Sequence, residues 1–305
     1  MGGPSVELFK RLKAKLLAGT LTSGAAAYVW YYYSYVCEIP TLHFHPDSEV
    51  SSVVQKHCKS LFERFRPTPW LWLSDAQTLF GIVRTVSISS EFDRQIITCP
   101  DGGLIALDWW QNSRKEPGLA PETPVVLVMH GLAGGSGEGY CKWMCDAAQR
   151  KGWRVAVINY RGCGGLKLTS PKTYNAAFTD DIRVGIDTIK AMFPLAPLAA
   201  VSYSLGAMIL TKYCATYDSH PEGTRLKCAI MISNPFCMST AQRKVRNVQT
   251  LPATTTSVWA STHTSLDSVP LTYTFPSPLF LNMSAHKIPE EWYSPTSLLP
   301  CPRLI

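Results

Sequence analysis

Between residues 125 and 234 the chain alternates short apolar runs with segments whose apolar residues recur every three or four positions. Val125-Val126-Leu127-Val128-Met129 is a continuous apolar run, the pattern of a strand buried on both faces. Arg154–Asn159, Leu198–Tyr203 and Lys227–Asn234 read as further strands. Between them, Cys141, Met144, Cys145 and Ala148 share one face of a helix expected over 141–151. Ile182, Ile186, Ile189 and Phe193 form a second helical stripe, with Thr179-Asp180-Asp181 as its upstream cap. Upstream, Asp101-Gly102-Gly103 separates Gln95–Thr98 from Leu104–Trp109, which reads as a hairpin, and residues 111–123 form a polar loop. Strands alternating with helices predict an α/β fold with a doubly wound, mostly parallel sheet.

The flanks follow other patterns. No charge occurs from Leu16 to Cys37, a run long enough to span a bilayer as a helix, and Tyr28–Tyr35 resembles an interfacial aromatic belt. Lys10, Arg11, Lys13 and Lys15 precede it, and Glu38, Asp47 and Glu49 follow. The expectation is a signal anchor over 16–37 behind a basic cytosolic segment, 1–15. The orientation is type II in a single-pass membrane protein, with the endoplasmic reticulum one candidate organelle. A surface-lying aromatic helix is the alternative. Residues 38–95 form a lead-in containing proline and aromatic residues. Residues 247–305 are rich in Ser, Thr and Pro and show no βα pattern.

Composition narrows the class. A hydrophobic fraction of 46% in 305 residues suits one large globular domain plus extras. The net charge of +7 is scattered, with no basic block interleaved with aromatics, so no nucleic-acid partner is expected. The ten cysteines include no CxxC pair; Cys141 and Cys145 read as core thiols, and no metal or cofactor is expected.

Candidate chemistry sits at two strand ends. Val201-Ser202-Tyr203-Ser204-Leu205-Gly206 leaves an apolar strand and enters an apolar helix, the layout of a nucleophile elbow presenting Ser204. The small residue two before the nucleophile is Ser202 where glycine is usual. The Leu205 N–H, at a helix N-terminus, is one expected oxyanion donor. His130-Gly131-Leu132-Ala133-Gly134-Gly135-Ser136-Gly137 follows the first strand, and its Leu132 N–H is the expected second donor. His130 is expected to shape that loop. The loop lacks the Lys-Ser/Thr of a P-loop and the spacing of a dinucleotide fingerprint.

From about Pro67 to Thr240 these motifs resemble family 4 of the α/β-hydrolase superfamily. It comprises membrane-anchored α/β-hydrolase-domain lipases and phospholipases, with yeast, plant and bacterial esterase relatives. The matching segments include Pro69-Trp70, Asp101-Gly102-Gly103, Leu107-Asp108-Trp109 and the glycine-rich loop. Asn159-Tyr160-Arg161-Gly162, Thr173-Tyr174, Thr179-Asp180-Asp181 and the elbow at Ser204 follow in order. The resemblance implies an α/β-hydrolase fold and a serine carboxylic-ester hydrolase acting through an acyl-enzyme. Acyl lipids or medium- and short-chain esters are the implied substrates, and a lipid bilayer the implied partner.

The pattern then breaks. The family's triad Asp and His follow a lid and two more strands, the His in a Gly-Gly-His type turn that residues 205–305 lack. His263 with Asp267, and His286 with Glu290, are weak candidates for that pair. The expectation is a partial hydrolase domain over 38–246, incomplete at its C-terminal strands as a shortened or alternatively spliced tail would leave it, with weak or absent activity. The alternative is a non-catalytic membrane-anchored binding or regulatory protein on a hydrolase scaffold.

Overall fold

The computed structural model describes residues 4–42, 49–71, 76–77, 80–81, 90–111, 113–116 and 118–235. The chain divides into two compact units, Met1–Gln77 and Thr78–Ile305.

The second unit is built on a six-stranded sheet. Its strands are β1 (Phe92–Thr98), β2 (Leu104–Trp110), β3 (Val125–Met129), β4 (Arg154–Asn159), β5 (Leu198–Tyr203) and β6 (Cys228–Ile232), in the order β1-β2-β4-β3-β5-β6. β1 and β2 form the expected antiparallel hairpin, and β2 runs antiparallel to β4. β4, β3, β5 and β6 are mutually parallel. The strand order reverses at β3, which lies between β4 and β5. A parallel sheet binds ligands in the crevice that opens at the carboxyl ends where its order reverses. The register places Met129 opposite Ser202, so the loops after β3 and β5 leave the sheet side by side.

Among the described residues three helices of this unit flank the sheet, and the alternation of β3 shows how they pack. Val125, Leu127 and Met129 join a core with Ile182, Ile186 and Ile189 of one helix (Asp180–Met192) and Ile209, Leu210 and Tyr213 of another (Leu205–Tyr217). Val126 and Val128 point the other way, onto Cys141, Cys145 and Ala148 of a helix over Gly139–Gln149. That helix starts two residues earlier than its periodicity suggests, but its buried face is the expected one. Cys141 and Cys145 are fully buried core thiols, and burial pushes the Cys141 thiol well above its ordinary value.

In the first unit a helix (α1) runs over Pro4–Tyr31 and continues as a π-helical turn, Tyr32–Val36. A second helix, α2, covers Glu49–His57. The sheet-flanking helices of the second unit described above are α3 (Gly139–Gln149), α4 (Asp180–Met192) and α5 (Leu205–Tyr217). Two tyrosines of the expected belt are hydrogen-bond donors within the first unit: the Tyr28 and Tyr32 hydroxyls bond the Pro69 and Pro67 carbonyls. Arg64 Nη1 donates to the Tyr33 and Cys37 carbonyls, at 3.0 and 2.8 Å.

The helix over this segment does not support the membrane-spanning expectation for 16–37. Among the described residues no helix is long and apolar enough to cross a membrane. Absence of charge is not apolarity. Thr20, Thr22, Ser23, two glycines and the run of tyrosines hold the mean hydropathy of this segment down, although it is helical. Residues 247–305, and with them His263, Asp267, His286 and Glu290, lie outside the described residues.

Candidate active site

Ser204 sits where β5 turns into α5, with φ of 52° and ψ of −115°. Its own N–H is taken by the Ile232 carbonyl at 2.9 Å, which ties the turn to β6. Its carbonyl accepts the N–H groups of Ala207 and Met208, at 3.0 and 3.2 Å, and so starts the helix. The result is a sharp strand-to-helix elbow with a partly exposed serine at its apex. The residues on either side explain the small-x-Ser-x-Gly spacing. Ser202 is fully buried, and its hydroxyl donates to the Ile230 carbonyl at 3.0 Å. A serine is thus accommodated where glycine is usual, and its hydroxyl is committed to the sheet. At Gly206 a Cβ would lie 2.5 Å from the His130 carbonyl oxygen and 3.0 Å from that of Met129, so only glycine fits.

The loop after β3 lies against this elbow. A Cβ on Gly131 would stand 3.4 Å from the Ser204 Cβ and 3.7 Å from the Tyr203 carbonyl. The structure therefore brings together the elements carrying Ser204, Leu205 and Leu132. Among the described residues neither the Leu132 N–H nor the Leu205 N–H has a hydrogen-bond partner. Leu205 opens α5, where the helix dipole adds positive potential.

His130 packs as a loop residue. Its Nδ1 lies 2.7 Å from the Gly131 carbonyl, its ring is 4.3 Å from that of Tyr160, and it is fully buried. Burial lowers its pKa to about 4, so the imidazole is neutral at physiological pH, and its Nε2 has no partner among the described residues. Tyr160 Oη donates to the His130 carbonyl at 3.1 Å. Among the described residues no imidazole contacts the Ser204 hydroxyl. His220 lies in the turn after α5, at the opposite end of that helix, where its ring accepts the Glu222 N–H at 3.3 Å.

Two buried polar clusters brace the site, and sequence reasoning did not find their partners. Asp108, on β2, accepts Nε and Nη2 of Arg94 at 2.7 Å each, Ser136 Oγ at 2.5 Å and Asn159 Nδ2 at 2.8 Å. Asn159 Oδ1 in turn takes the Ser136 N–H at 2.9 Å, fastening the far end of the glycine-rich loop to β4. A carboxylate inside the apolar run Leu107-Asp108-Trp109 is the sequence signal for this cluster. Arg161, immediately beyond β4, pairs with two carboxylates. Its Nε and Nη2 reach Asp181 at 2.7 Å each, and Nη1 and Nη2 reach Asp101 at 2.5 and 2.8 Å. The guanidinium holds the Asp101 carboxyl down at about 2, and the carboxylates raise Arg161 in turn.

An elbow serine, a glycine loop bearing an unused amide and this strand order define a class. Residues 124–271 match the family described as the alpha/beta hydrolase fold. The chain belongs to the α/β-hydrolase superfamily, and several of the relatives it matches carry lipase or esterase names. Phospholipase ABHD3 of Homo sapiens is 33% identical over 227 residues, 73% of this chain and 54% of that protein. A monoacylglycerol lipase of Saccharomyces cerevisiae is 35% identical over 114 residues, covering 37% of this chain and 25% of that protein. A putative esterase, YheT, of Escherichia coli is 33% identical over 146 residues, covering 47% of this chain and 40% of that protein. The chain spans about half the length of the phospholipases it matches.

Proposed function

We propose that this chain carries the nucleophile and oxyanion half of a serine carboxylic-ester hydrolase acting on acyl lipids. Ser204 Oγ attacks the ester carbonyl, the Leu132 and Leu205 amides hold the oxygen as it becomes negative, and the alcohol leaves as the acyl-serine forms. The observation that carries the reading is the pairing of a serine at a sharp elbow with two unengaged amides from different loops. Such donors are aimed before the reaction begins, and removing one typically costs about 2.7–4 kcal/mol of barrier. An acyl-lipid substrate is supported by the names of the phospholipase and lipase relatives.

The proton acceptor for Ser204 lies outside the described residues in this reading, with His263 or His286, and their neighbours Asp267 and Glu290, as the candidates. The lack of an imidazole on Ser204 among the described residues favours a second reading, a binding or regulatory protein on a hydrolase scaffold. A fluorophosphonate probe separates the two, because labelling needs an activated serine. The hydrolase reading expects labelling that Ser204→Ala abolishes and Ser202→Ala preserves, with turnover of a medium-chain ester lost in His263→Ala or His286→Ala. A folded chain that takes no probe selects the binding reading.

Access to a lipid substrate is supported by the first unit. Along α1, Leu8, Leu12, Leu16 and Leu21 are exposed beside exposed Arg11, Lys13 and Lys15. We read the basic cluster before Leu16 as drawing this segment to an anionic lipid surface. Flotation with anionic but not with neutral liposomes is the expected result; flotation with neither removes the idea.

A further inference from the structure

The loop after β3 offers successive backbone N–H groups at Gly131, Leu132, Ala133 and Gly134, and three are already engaged. The Gly131 N–H donates to Tyr140 Oη at 3.0 Å, and the Ala133 N–H donates to Tyr174 Oη at 2.8 Å. The Gly134 N–H turns back to the Gly131 carbonyl at 3.4 Å. Leu132, between the two tyrosine-bonded amides, is left as the amide without a partner among the described residues.

From this pattern we infer that Tyr140 and Tyr174 are positioning residues that select which amide of the loop serves as an oxyanion donor. The inference rests on the Ser204 reading above. The tyrosines come from different elements. Tyr140 is in the first turn of α3, and Tyr174 lies in the segment between β4 and α4. Each accepts a loop N–H through a lone pair of its hydroxyl oxygen. The Tyr174 ring stacks on Tyr160, whose hydroxyl holds the His130 carbonyl. Tyr140 Oη lies close against two glycines of the loop. A Cβ at Gly131 or Gly134 would come within 3.5 or 3.2 Å of its hydroxyl.

Backbone conformation adds a second reason. Ala133 has a φ of 53°, a left-handed conformation that a residue with a Cβ rarely adopts. That conformation sets the direction of the neighbouring peptide planes, and the Tyr174 hydrogen bond is what engages the Ala133 N–H in it. With phenylalanine at 174, the Ala133 N–H loses its acceptor. It can then compete with Leu132 for the oxyanion, or the residue can relax and carry the Leu132 amide away.

The test compares full-length wild type with Tyr174→Phe and Tyr140→Phe. Tyr213→Phe is the control, since that buried hydroxyl bonds the Thr224 carbonyl instead of this loop. Amide hydrogen exchange at residues 131–134 reads the loop, and exchange at Leu127 in β3 shows that the fold is intact. The fluorophosphonate reaction reads the chemistry as a maximal inactivation rate and a half-saturating concentration. The expected result is faster exchange at Ala133 in Tyr174→Phe and at Gly131 in Tyr140→Phe. The maximal rate falls roughly tenfold, less than for outright loss of a donor, and the half-saturating concentration is unchanged. Tyr213→Phe behaves as wild type. Unchanged exchange in both loop variants, or unchanged inactivation rates, overturns the assignment. A wild-type chain that takes no probe overturns the Ser204 reading instead. Exchange alone then decides whether the tyrosines set the loop, with faster exchange supporting that role and unchanged exchange overturning it.

Discussion

Replacing Gly206 by alanine tests whether the elbow is as tightly seated on β3 as its geometry says. The substitution has two opposed effects. Alanine in a helix is favoured over glycine by up to about 1 kcal/mol. Against that, the new Cβ would lie 2.5 Å from the His130 carbonyl oxygen, 2.9 Å from Tyr160 Oη and 3.0 Å from the Met129 carbonyl oxygen. Carbon–oxygen contacts in proteins settle near about 3.3–3.6 Å, so the first contact is short by roughly 0.8 Å. Two of the obstacles are backbone atoms at the exit of a central strand, and they cannot rotate aside. Overpacking of this kind costs about 1–3 kcal/mol, and the rigid obstacles place it at the upper end. The net expectation is a loss of about 2 kcal/mol, or a fall in Tm of roughly 4–8 °C. Gly185 in α4 supplies the matched comparison. Its Cβ would meet the Ile158 Cδ1 at 2.9 Å, the movable end of a side chain. Gly185→Ala gains the same propensity and should cost less. Thermal and urea unfolding of both variants, followed by tryptophan fluorescence, make the measurement. A Gly206→Ala chain no less stable than Gly185→Ala would refute the close-approach reasoning.

Other consequences can be measured separately. The His130 imidazole should stay neutral down to about pH 4. Because its folded pKa is depressed from 6.5, it contributes stability fully present above pH 6.5 and lost as pH falls toward 4, about 3 kcal/mol in all. An imidazole proton resonance titrating near 6.5 in the folded chain would contradict its burial. Arg161→Met should cost about 3–5 kcal/mol in urea unfolding, because it leaves Asp181 charged and buried. The double variant Arg161→Met/Asp181→Leu should recover much of that loss, and strictly additive losses would show that the pair is not coupled. Ser202→Ala should lower stability by about 1 kcal/mol through the lost bond to Ile230 while leaving probe labelling at Ser204 unchanged. Loss of labelling in that variant would move the nucleophile assignment.

How much of this was legible in the sequence depended on how local its cause was. β3, β4 and β5 occupy the residues their apolar runs suggested, because burial on both faces writes a continuous signal. β1 begins at Phe92, three residues before the expected start, since Phe92-Asp93-Arg94 shows no clear alternation and is ordered by pairing with Asp108, Trp109 and Trp110. The elbow was legible because its glycine and its small residue answer to immediate steric demands. The tyrosine contacts to the loop were not. They join positions 9 and 41 residues apart, and nothing in local spacing records that two hydroxyls and two amides will meet. For the N-terminal segment charge and hydropathy point different ways: residues 16–37 carry no charge, yet among the described residues no helix is long and apolar enough to cross a membrane.

Ser204 itself carries a thermodynamic consequence. A serine at φ 52°, ψ −115° is outside the regions open to residues with a Cβ, and such a conformation costs on the order of 1–3 kcal/mol. Glycine would relieve it without disturbing the tie to Ile232 or the start of α5, since both use backbone atoms. Selection for folding alone would therefore favour glycine at 204, and a Ser204→Gly chain should melt at a higher temperature than wild type. At this one Cα, robustness and reactivity pull in opposite directions. The chain has kept the option that is worse for folding, and the only thing it retains by doing so is a hydroxyl.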